Sequence, residues 1–513
     1  MIQPSSPRNS LSQVRRLVAG LSAGLALTVL PGVSPWAGAN GAHLDGQVLR
    51  AMSQGERVRV IMIARGDLNL LDADLRRTGI TQTATVPVGH GIATELTPAL
   101  VQHFSHDPNV VRIIYDAPVR LSESPFDPAG MATVYASVVG ASGDRSDDHR
   151  RTGRGTGIGI AVIDSGIAPH ADVNPRVIAS VNFNPTVTGS GDAFGHGTAV
   201  AGIIAGDGTA GGGRYMGIAP QANLINLRVN DGTGAAPTSA ILNAILWAVA
   251  NQDRYNIRVI NLSLLASVAE SYRTSPIDAA VEYAWLHGIV VVVAAGNLGP
   301  QSSLYAPAND PYVITVGATD DHGTVAVADD TLARFSSYGI TQDGYTKPDL
   351  VAPGVHIVTA LAPGSSFALN HPDHLVGSQY IELSGTSVAS PIIAGIAALY
   401  LQRNAEVRPG QLKASLRATA QALPFVGSGS GYPDAARALA QARPAGNADL
   451  GLQPNNYLKL MYRQAKKLGS LTQVSWDSVS WDSVSWDSVS WDSVSWDSVS
   501  WDSVSWDAVS WSN

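Results

Sequence analysis

From residue 157 onward the sequence alternates between two kinds of segment, and this alternation restricts the fold more than any other feature. Short β-branched runs at Ile158–Ile163, Asn223–Val229, Val259–Leu264, Ile289–Ala294 and Val313–Gly317 have the length of strands. Between them lie stretches of helical character: Thr198–Ile204, Ser239–Val249, Pro276–His287 and Ser390–Gln402. A helical crossover returns the chain to the same end of a sheet, so its strands pair in parallel. The pattern predicts an α/β fold, a mostly parallel sheet with helices on both faces. In such sheets reactive groups gather beyond the carboxyl ends of the strands. The region closes after Gly431-Tyr432-Pro433-Asp434-Ala435-Ala436, with a last helix to about Ala442.

Three motifs put reactive side chains at those ends. Ile160-Ala161-Val162-Ile163-Asp164-Ser165-Gly166 is a buried strand that finishes in an acid. A carboxylate there can orient a histidine and stabilise its protonated ring. Gly195-His196-Gly197-Thr198 opens a helix, and its glycines let the backbone turn tightly beside the imidazole. Gly385-Thr386-Ser387-Val388-Ala389-Ser390-Pro391 sets a serine where a helix starts, and helix N-terminal amides favour developing negative charge. Singly these motifs say little. A strand-terminal aspartate is usually a turn former, and a serine before a helix is usually its cap. Their order, Asp then His then Ser, is far more restrictive.

One competing reading takes Gly385-x-Ser387-x-Ala389 as the nucleophile elbow of an α/β-hydrolase. That fold places its histidine after the serine, whereas the last of the twelve histidines here is His374. From about Gly153 to Ala442 the chain instead resembles the subtilases, the subtilisin-like serine peptidases. The resemblance implies that Ser387 attacks a peptide carbonyl, His196 moves the proton, and Asp164 fixes the histidine tautomer. Val291-Val292-Val293-Ala294-Ala295-Gly296-Asn297 is similar to the segment that supplies the oxyanion-hole asparagine, which makes Asn297 that residue. The resemblance also assigns Ser263, Leu264 and Leu265, with Ala294, Ala295 and Gly296, to substrate binding.

Departures from the family pattern carry information too. Leu265 stands where the family commonly has glycine, and Val388 where many members have methionine. The loop Asp207–Tyr215 lacks the asparagine-rich calcium loop of secreted members. Structural calcium is compatible with the resemblance, but no metal ligand is assigned, and the chemistry requires no cofactor.

The flanks complete the domain plan. Arg8, Arg15 and Arg16 precede the apolar run Leu17–Leu30, and Ala37-Gly38-Ala39 offers a cleavage site, so residues 1–39 read as a signal peptide. Fourteen residues span only ~21 Å as a helix, short of a ~30 Å hydrocarbon core. Secretion is the expected destination. Residues 40–125 read as a small α+β unit with strands at Arg57–Ala64 and Val110–Tyr115 and helices at Leu68–Arg77 and Pro98–His106. A strand pair is expected within Thr83–Leu96, around Gly89-His90-Gly91. Lying before the catalytic motifs, this unit resembles a subtilisin propeptide, which implies an intramolecular chaperone and inhibitor. Residues 126–443 form the peptidase-like domain, with the turn-rich, charged stretch 122–156 as processing region and entry loop. Residues 444–473 read as a linker and short helix.

Composition narrows the remaining choices. The chain has no cysteine, which excludes thiol chemistry, disulfides and cysteine-based zinc sites. Seven aspartates of the formal charge of −8 lie in the tail 474–513, so no basic field for nucleic acid exists. That tail repeats Ser-Trp-Asp-Ser-Val, a period of five that fits neither a helix nor a strand. Evenly spaced tryptophans suit contact with a cell envelope or glycan, and a passive or processed tail or a role in secretion routing fits the same repeat. Two function classes follow: a monomeric secreted endopeptidase acting on polypeptides, or an envelope- or glycan-binding protein that keeps a peptidase scaffold for display.

Overall fold

The computed structural model describes residues 42–65, 67–86, 90–116, 118–121, 134–141, 153–441 and 443–459. The expected signal peptide, the repeat tail and most of the expected processing region lie outside these residues.

The N-terminal unit contains β1 (His43–Leu44), α1 (Gly46–Gln54), β2 (Val58–Ala64), α2 (Leu68–Arg77), β3 (Ala84–Val86), β4 (Gly91–Leu96), α3 (Pro98–Ser105) and β5 (Val110–Tyr115). Its strands pair in the order β1-β5-β2-β4-β3. Sequence reading finds the later elements and misses β1 and α1, which are short and carry few apolar residues. Alternation along the strands explains how the unit is packed. Val58, Val60, Met62 and Ile113 meet Leu71, Leu75, Val101 and Phe104 on one face. Ile61, Ile63 and Ile114 point the other way and join the core of the larger α/β domain. Both faces of this small sheet are therefore apolar and covered.

The larger domain is built on β7 (Gly159–Asp164), β8 (Val177–Asn182), β9 (Asn223–Arg228), β10 (Ala235–Pro237), β11 (Ile257–Leu262), β12 (Leu264–Ala266), β13 (Val290–Ala294), β14 (Ile314–Asp320), β15 (Thr331–Leu332), a small hairpin of β16 (Gly339–Ile340) and β17 (Thr346–Lys347), and β18 (Leu350–Pro353). The main sheet has eight strands in the order β15-β14-β13-β11-β7-β9-β8, with β18 also paired to β14. All its pairings are parallel except β14 with β15, as the strand–helix alternation requires. The long helix Thr386–Arg403 is buried along nearly its whole length and packs against β11, β13, β14 and the helix His196–Ala205. Among the described residues no helix is long and apolar enough to cross a membrane.

Two joints hold the N-terminal unit on this domain. The buried Asp116 carboxylate accepts from the Ser239 backbone N–H at 3.1 Å and from its hydroxyl at 3.2 Å. Helix Thr238–Ala250 has Pro237 at its N-cap and no capping side chain of its own, so the neighbouring unit supplies the acceptor. Beyond Asp116, β6 (Pro118–Leu121) lies between β10 and β12, antiparallel to both, with Leu121 opposite Leu264 and Arg120 opposite Leu265.

The segment 444–455, read from sequence as a linker, and the described start of the helix expected at Tyr457–Lys467 lie against the helix Pro276–Leu286. The Trp285 indole N–H donates to Asp449 at 3.1 Å, and the Tyr272 hydroxyl donates to the Gln453 carbonyl at 2.8 Å. The Asn455 N–H donates to the buried Glu282 carboxyl at 2.7 Å, and Leu458 is buried against Ala279. Polar bonds rather than an apolar stripe hold the segment, so hydropathy does not reveal it. Burial and then the adjacent Asp310 push the Glu282 carboxyl well above its ordinary range. A carboxyl raised by folding stabilises most when protonated, and that stabilisation is lost as pH climbs above the unfolded value of about 4.3. Glu282→Gln keeps the acceptor and cannot ionise. In an inactive Ser387→Ala background it is expected to raise the thermal midpoint at pH 8–9 by about 2 °C and to flatten the loss of stability with rising pH. A midpoint falling equally at pH 5 and pH 9 would contradict this.

Candidate active site

Asp164 ends β7 at the carboxyl edge of the sheet, fully buried. His196 opens the helix His196–Ala205, and its Nδ1 lies 2.8 and 3.0 Å from the two Asp164 oxygens. Two glycines make this approach feasible. Gly195 has φ +108°, a left-handed conformation, and a Cβ on Gly197 would sit 2.1 Å from the Gly166 carbonyl oxygen.

Sequence reading passed over Asp192, which fastens the strand end to the helix start. Its carboxylate accepts from the Ser165 hydroxyl (2.8 Å), the Gly195 N–H (2.7 Å), and the Thr198 N–H (2.8 Å) and hydroxyl (2.6 Å). Ser165 in turn accepts from the Gly197 N–H at 2.9 Å. Burial raises the Asp192 carboxyl above its usual range, and the bonds from Thr198, Gly195 and Ser165 act against that rise. An acid four residues before a glycine-flanked histidine was the available signal.

Ser387 is the second residue of the helix Thr386–Arg403, which starts four residues before the expected Ser390. Sequence reading put Pro391 near the helix start, because proline removes an N–H from a helix interior. Here the Ser387 carbonyl would bond the N–H of residue 391, which proline lacks. The Ser263 hydroxyl donates to that carbonyl at 2.9 Å instead, and itself accepts from Asn261 Nδ2 at 2.9 Å. Ser263, expected at the substrate wall, thus points its side chain at the backbone of Ser387.

Asn297 follows β13, whose end carries Ala294, Ala295 and Gly296. Its Oδ1 accepts from the Thr386 N–H and hydroxyl, each at 3.0 Å. Because an N–H can only donate, the amide orientation is fixed. Asn297 Nδ2 is left as a buried donor without a partner among the described residues. Thr386 also accepts from the Gly296 N–H at 3.1 Å. It couples the asparagine to the helix start, a role sequence reading did not assign.

Leu264 and Leu265 lie on β12, beside β6. A Cβ on Gly296 would come within 3.0 Å of Leu265 Cδ2, so the leucine side chain reaches across to the 294–296 segment. The loop Asp207–Tyr215 holds a single turn at Thr209–Gly211, and the Asp172 carboxylate is bonded by the Ala210 N–H (2.6 Å) and the Tyr380 hydroxyl (2.7 Å). Among the described residues no group of three or more acidic, histidine or cysteine side chains is placed to hold a metal ion.

A buried carboxylate–histidine pair and an asparagine donor stand at the carboxyl edge of a parallel sheet, with a serine at a neighbouring helix start. A serine hydrolase requires side chains of these kinds. The model of the Subtilase family matches residues 155–453, and the chain belongs to that family. It is 42% identical over 269 residues to the serine protease AprX of Bacillus subtilis, covering 51% of this chain and 61% of AprX. It is 34% identical to the M-protease of Shouchella clausii, over 66% of this chain and 75% of that protein. With subtilisin Savinase of Lederbergia lenta it shares 35% identity over 54% of this chain and 87% of that one. Fervidolysin from Fervidobacterium pennivorans, described as a keratinolytic enzyme related to subtilisin, shares the fold. Its TM-score is 0.58 at 22% identity, over 76% of this chain and 61% of that one.

The proline-for-hydroxyl substitution at the start of the Ser387 helix can be tested by rescue. In a Ser387→Ala background, Ser263→Ala leaves the carbonyl of residue 387 and Asn261 Nδ2 without their partner. It is expected to cost about 1–3 kcal/mol in denaturant unfolding. Adding Pro391→Ala restores an N–H to the helix and should recover part of that loss. A double variant less stable than Ser263→Ala alone would overturn the assignment.

Proposed function

We propose that this chain is an endopeptidase that hydrolyses polypeptides through an acyl-enzyme on Ser387. The observation that carries the reading is the unpaired Asn297 Nδ2, set by Thr386 at the start of the helix that bears Ser387. A buried amide donor with no partner is costly to keep unless a ligand atom takes it. A carbonyl oxygen that gains charge as Ser387 Oγ attacks is such a ligand. His196 accepts the serine proton and returns it to the leaving amine, while Asp164 holds Nδ1 and keeps Nε2 as the acceptor. The Ser387 backbone N–H is the second oxyanion donor. The display-scaffold alternative finds no support among the named relatives, which are proteases.

The N-terminal unit acts in this reading as the chain's own inhibitor. β6 supplies an extended strand between β10 and β12, the way a substrate would add itself to two strand edges. Maturation is then autocatalytic and cuts between about Arg120 and Met131. Export through residues 1–39 and attachment to an envelope or glycan through the tail belong to the same proposal and rest on sequence pattern. Ser387→Ala is expected to abolish casein hydrolysis and to accumulate as precursor, whereas Asn297→Ala loses roughly 10²–10³ in kcat, the range known for a subtilisin oxyanion donor. N-terminal sequencing of the secreted protein checks the cut. Normal processing of Ser387→Ala in a host without other secreted proteases would sink the reading.

Leu265 gives the specificity. A leucine leaning on Gly296 narrows the space between β12 and the 294–296 segment, so the residue before the scissile bond should be small. Leu265→Gly is expected to raise the kcat/KM ratio of phenylalanine over alanine peptides by about tenfold or more. An unchanged ratio would place the side-chain pocket elsewhere.

A further inference from the structure

The inhibitor reading assigns the N-terminal unit a seat on the peptidase domain, and the structure shows a third element in that seat. Tyr457 stands on the C-terminal segment, more than 300 positions from the unit it touches. The Arg112 guanidinium, on β5, donates to the Tyr457 hydroxyl and lies 5.8 Å from the centre of its ring. Tyr457 also closes a narrow seam lined by Ile61, Ile63 and Ile114 of the N-terminal sheet and by Leu242 and Pro276 of the two helices below it.

The tyrosine is held firmly from the peptidase side. Its N–H donates to Asn455 Oδ1 at 2.8 Å, and Asn455 Nδ2 donates to the Ser275 carbonyl at 3.0 Å and to the Tyr272 carbonyl. The Asn456 N–H donates to the Arg273 carbonyl at 2.9 Å, and Leu458 is buried beside Ala279. These bonds run to the start of the helix Pro276–Leu286 and the turn before it, not to the N-terminal unit. The segment is therefore anchored independently and presents a phenol to an arginine.

We propose that residues 455–459 are part of the docking surface for the N-terminal unit, with Tyr457 gripping Arg112, and that this contact sets how long the cleaved unit stays bound. The proposal rests on the reading of that unit as an inhibitor. Asp116 and β6 engage the substrate side of the domain. Tyr457 adds a grip on Arg112 of β5, four residues before Asp116, from a segment that extends past the matched family region at residue 453.

The test uses the full-length chain and follows two events during maturation: cleavage on a gel, and the appearance of activity on a short peptide. Wild type should show a lag between them while the cleaved unit dissociates. Tyr457→Ala should shorten that lag roughly tenfold, since a charge-assisted bond and a ring contact are both lost. Arg112→Ala should do the same, and its mature enzyme is identical to wild type because residue 112 is discarded. The double variant should shorten the lag no further than either single change, the signature of one shared contact. Final activity per active site should match wild type throughout. A wild type with no lag would remove the inhibitor reading. A wild-type lag that Arg112→Ala leaves unchanged would remove the Tyr457 contact and leave the inhibitor reading standing.

Discussion

The close approach of the Gly166 carbonyl to Gly197 is the contact on which the site depends. It lets the first turn of the His196 helix sit against the end of β7, and only at that distance can Nδ1 reach both Asp164 oxygens. A carboxylate and an imidazole brought together by chance would not stay in register, because both lie on separate elements. Asp192 prevents this by accepting bonds from the turn after the strand and from the first turn of the helix at once. Four bonds to groups that would otherwise lack acceptors offset part of the cost of burying that carboxylate. The geometry of the reacting pair is thus set by backbone, and the side chains follow it.

The serine side of the site is organised differently. There the chain gives up a helical bond at Pro391 and replaces it with the Ser263 hydroxyl, which ties the Ser387 carbonyl to the end of β11 and the start of β12. Thr386 ties the same helix start to Asn297 and Gly296. Strand ends from the middle of the sheet are thereby linked to one helix terminus through two hydroxyls. Rigid elements carry the reacting groups, and short polar side chains fix their mutual distances.

The positions of Asp164, His196 and Asn297 at strand ends or a helix start are legible because each lies inside a motif whose glycines and apolar run announce such a boundary, and the motif around Ser387 announces a nearby helix start. The parallel sheet was legible because its strands are continuous β-branched runs. Asp192, Thr386 and the side-chain direction of Ser263 were not, since a polar residue's partner depends on what lies across from it in space. The start of the Ser387 helix was misplaced because a proline was taken as a boundary, a rule that fails when another donor satisfies the freed carbonyl. The attachment of the linker 444–455 is not legible because it is made by hydrogen bonds to Glu282, Ser275 and Trp285, which leave no periodic trace in the sequence.

If the N-terminal unit is cleaved and released as proposed, its two-faced sheet has a consequence for the direction of that step. Met62 and Val60 are covered by the unit's own helices, but Ile61, Ile63 and Ile114 belong to the core of the domain it rides on. Part of its fold is stabilised by borrowed burial. Once detached, the fragment must either expose a row of isoleucines to water or lose its structure, and an unfolded fragment is itself food for a protease. Rebinding then competes with destruction, and each turnover of the fragment drains the pool that could return. On the proposed reading release would behave as a ratchet, with the first free molecule of enzyme making the next release harder to reverse.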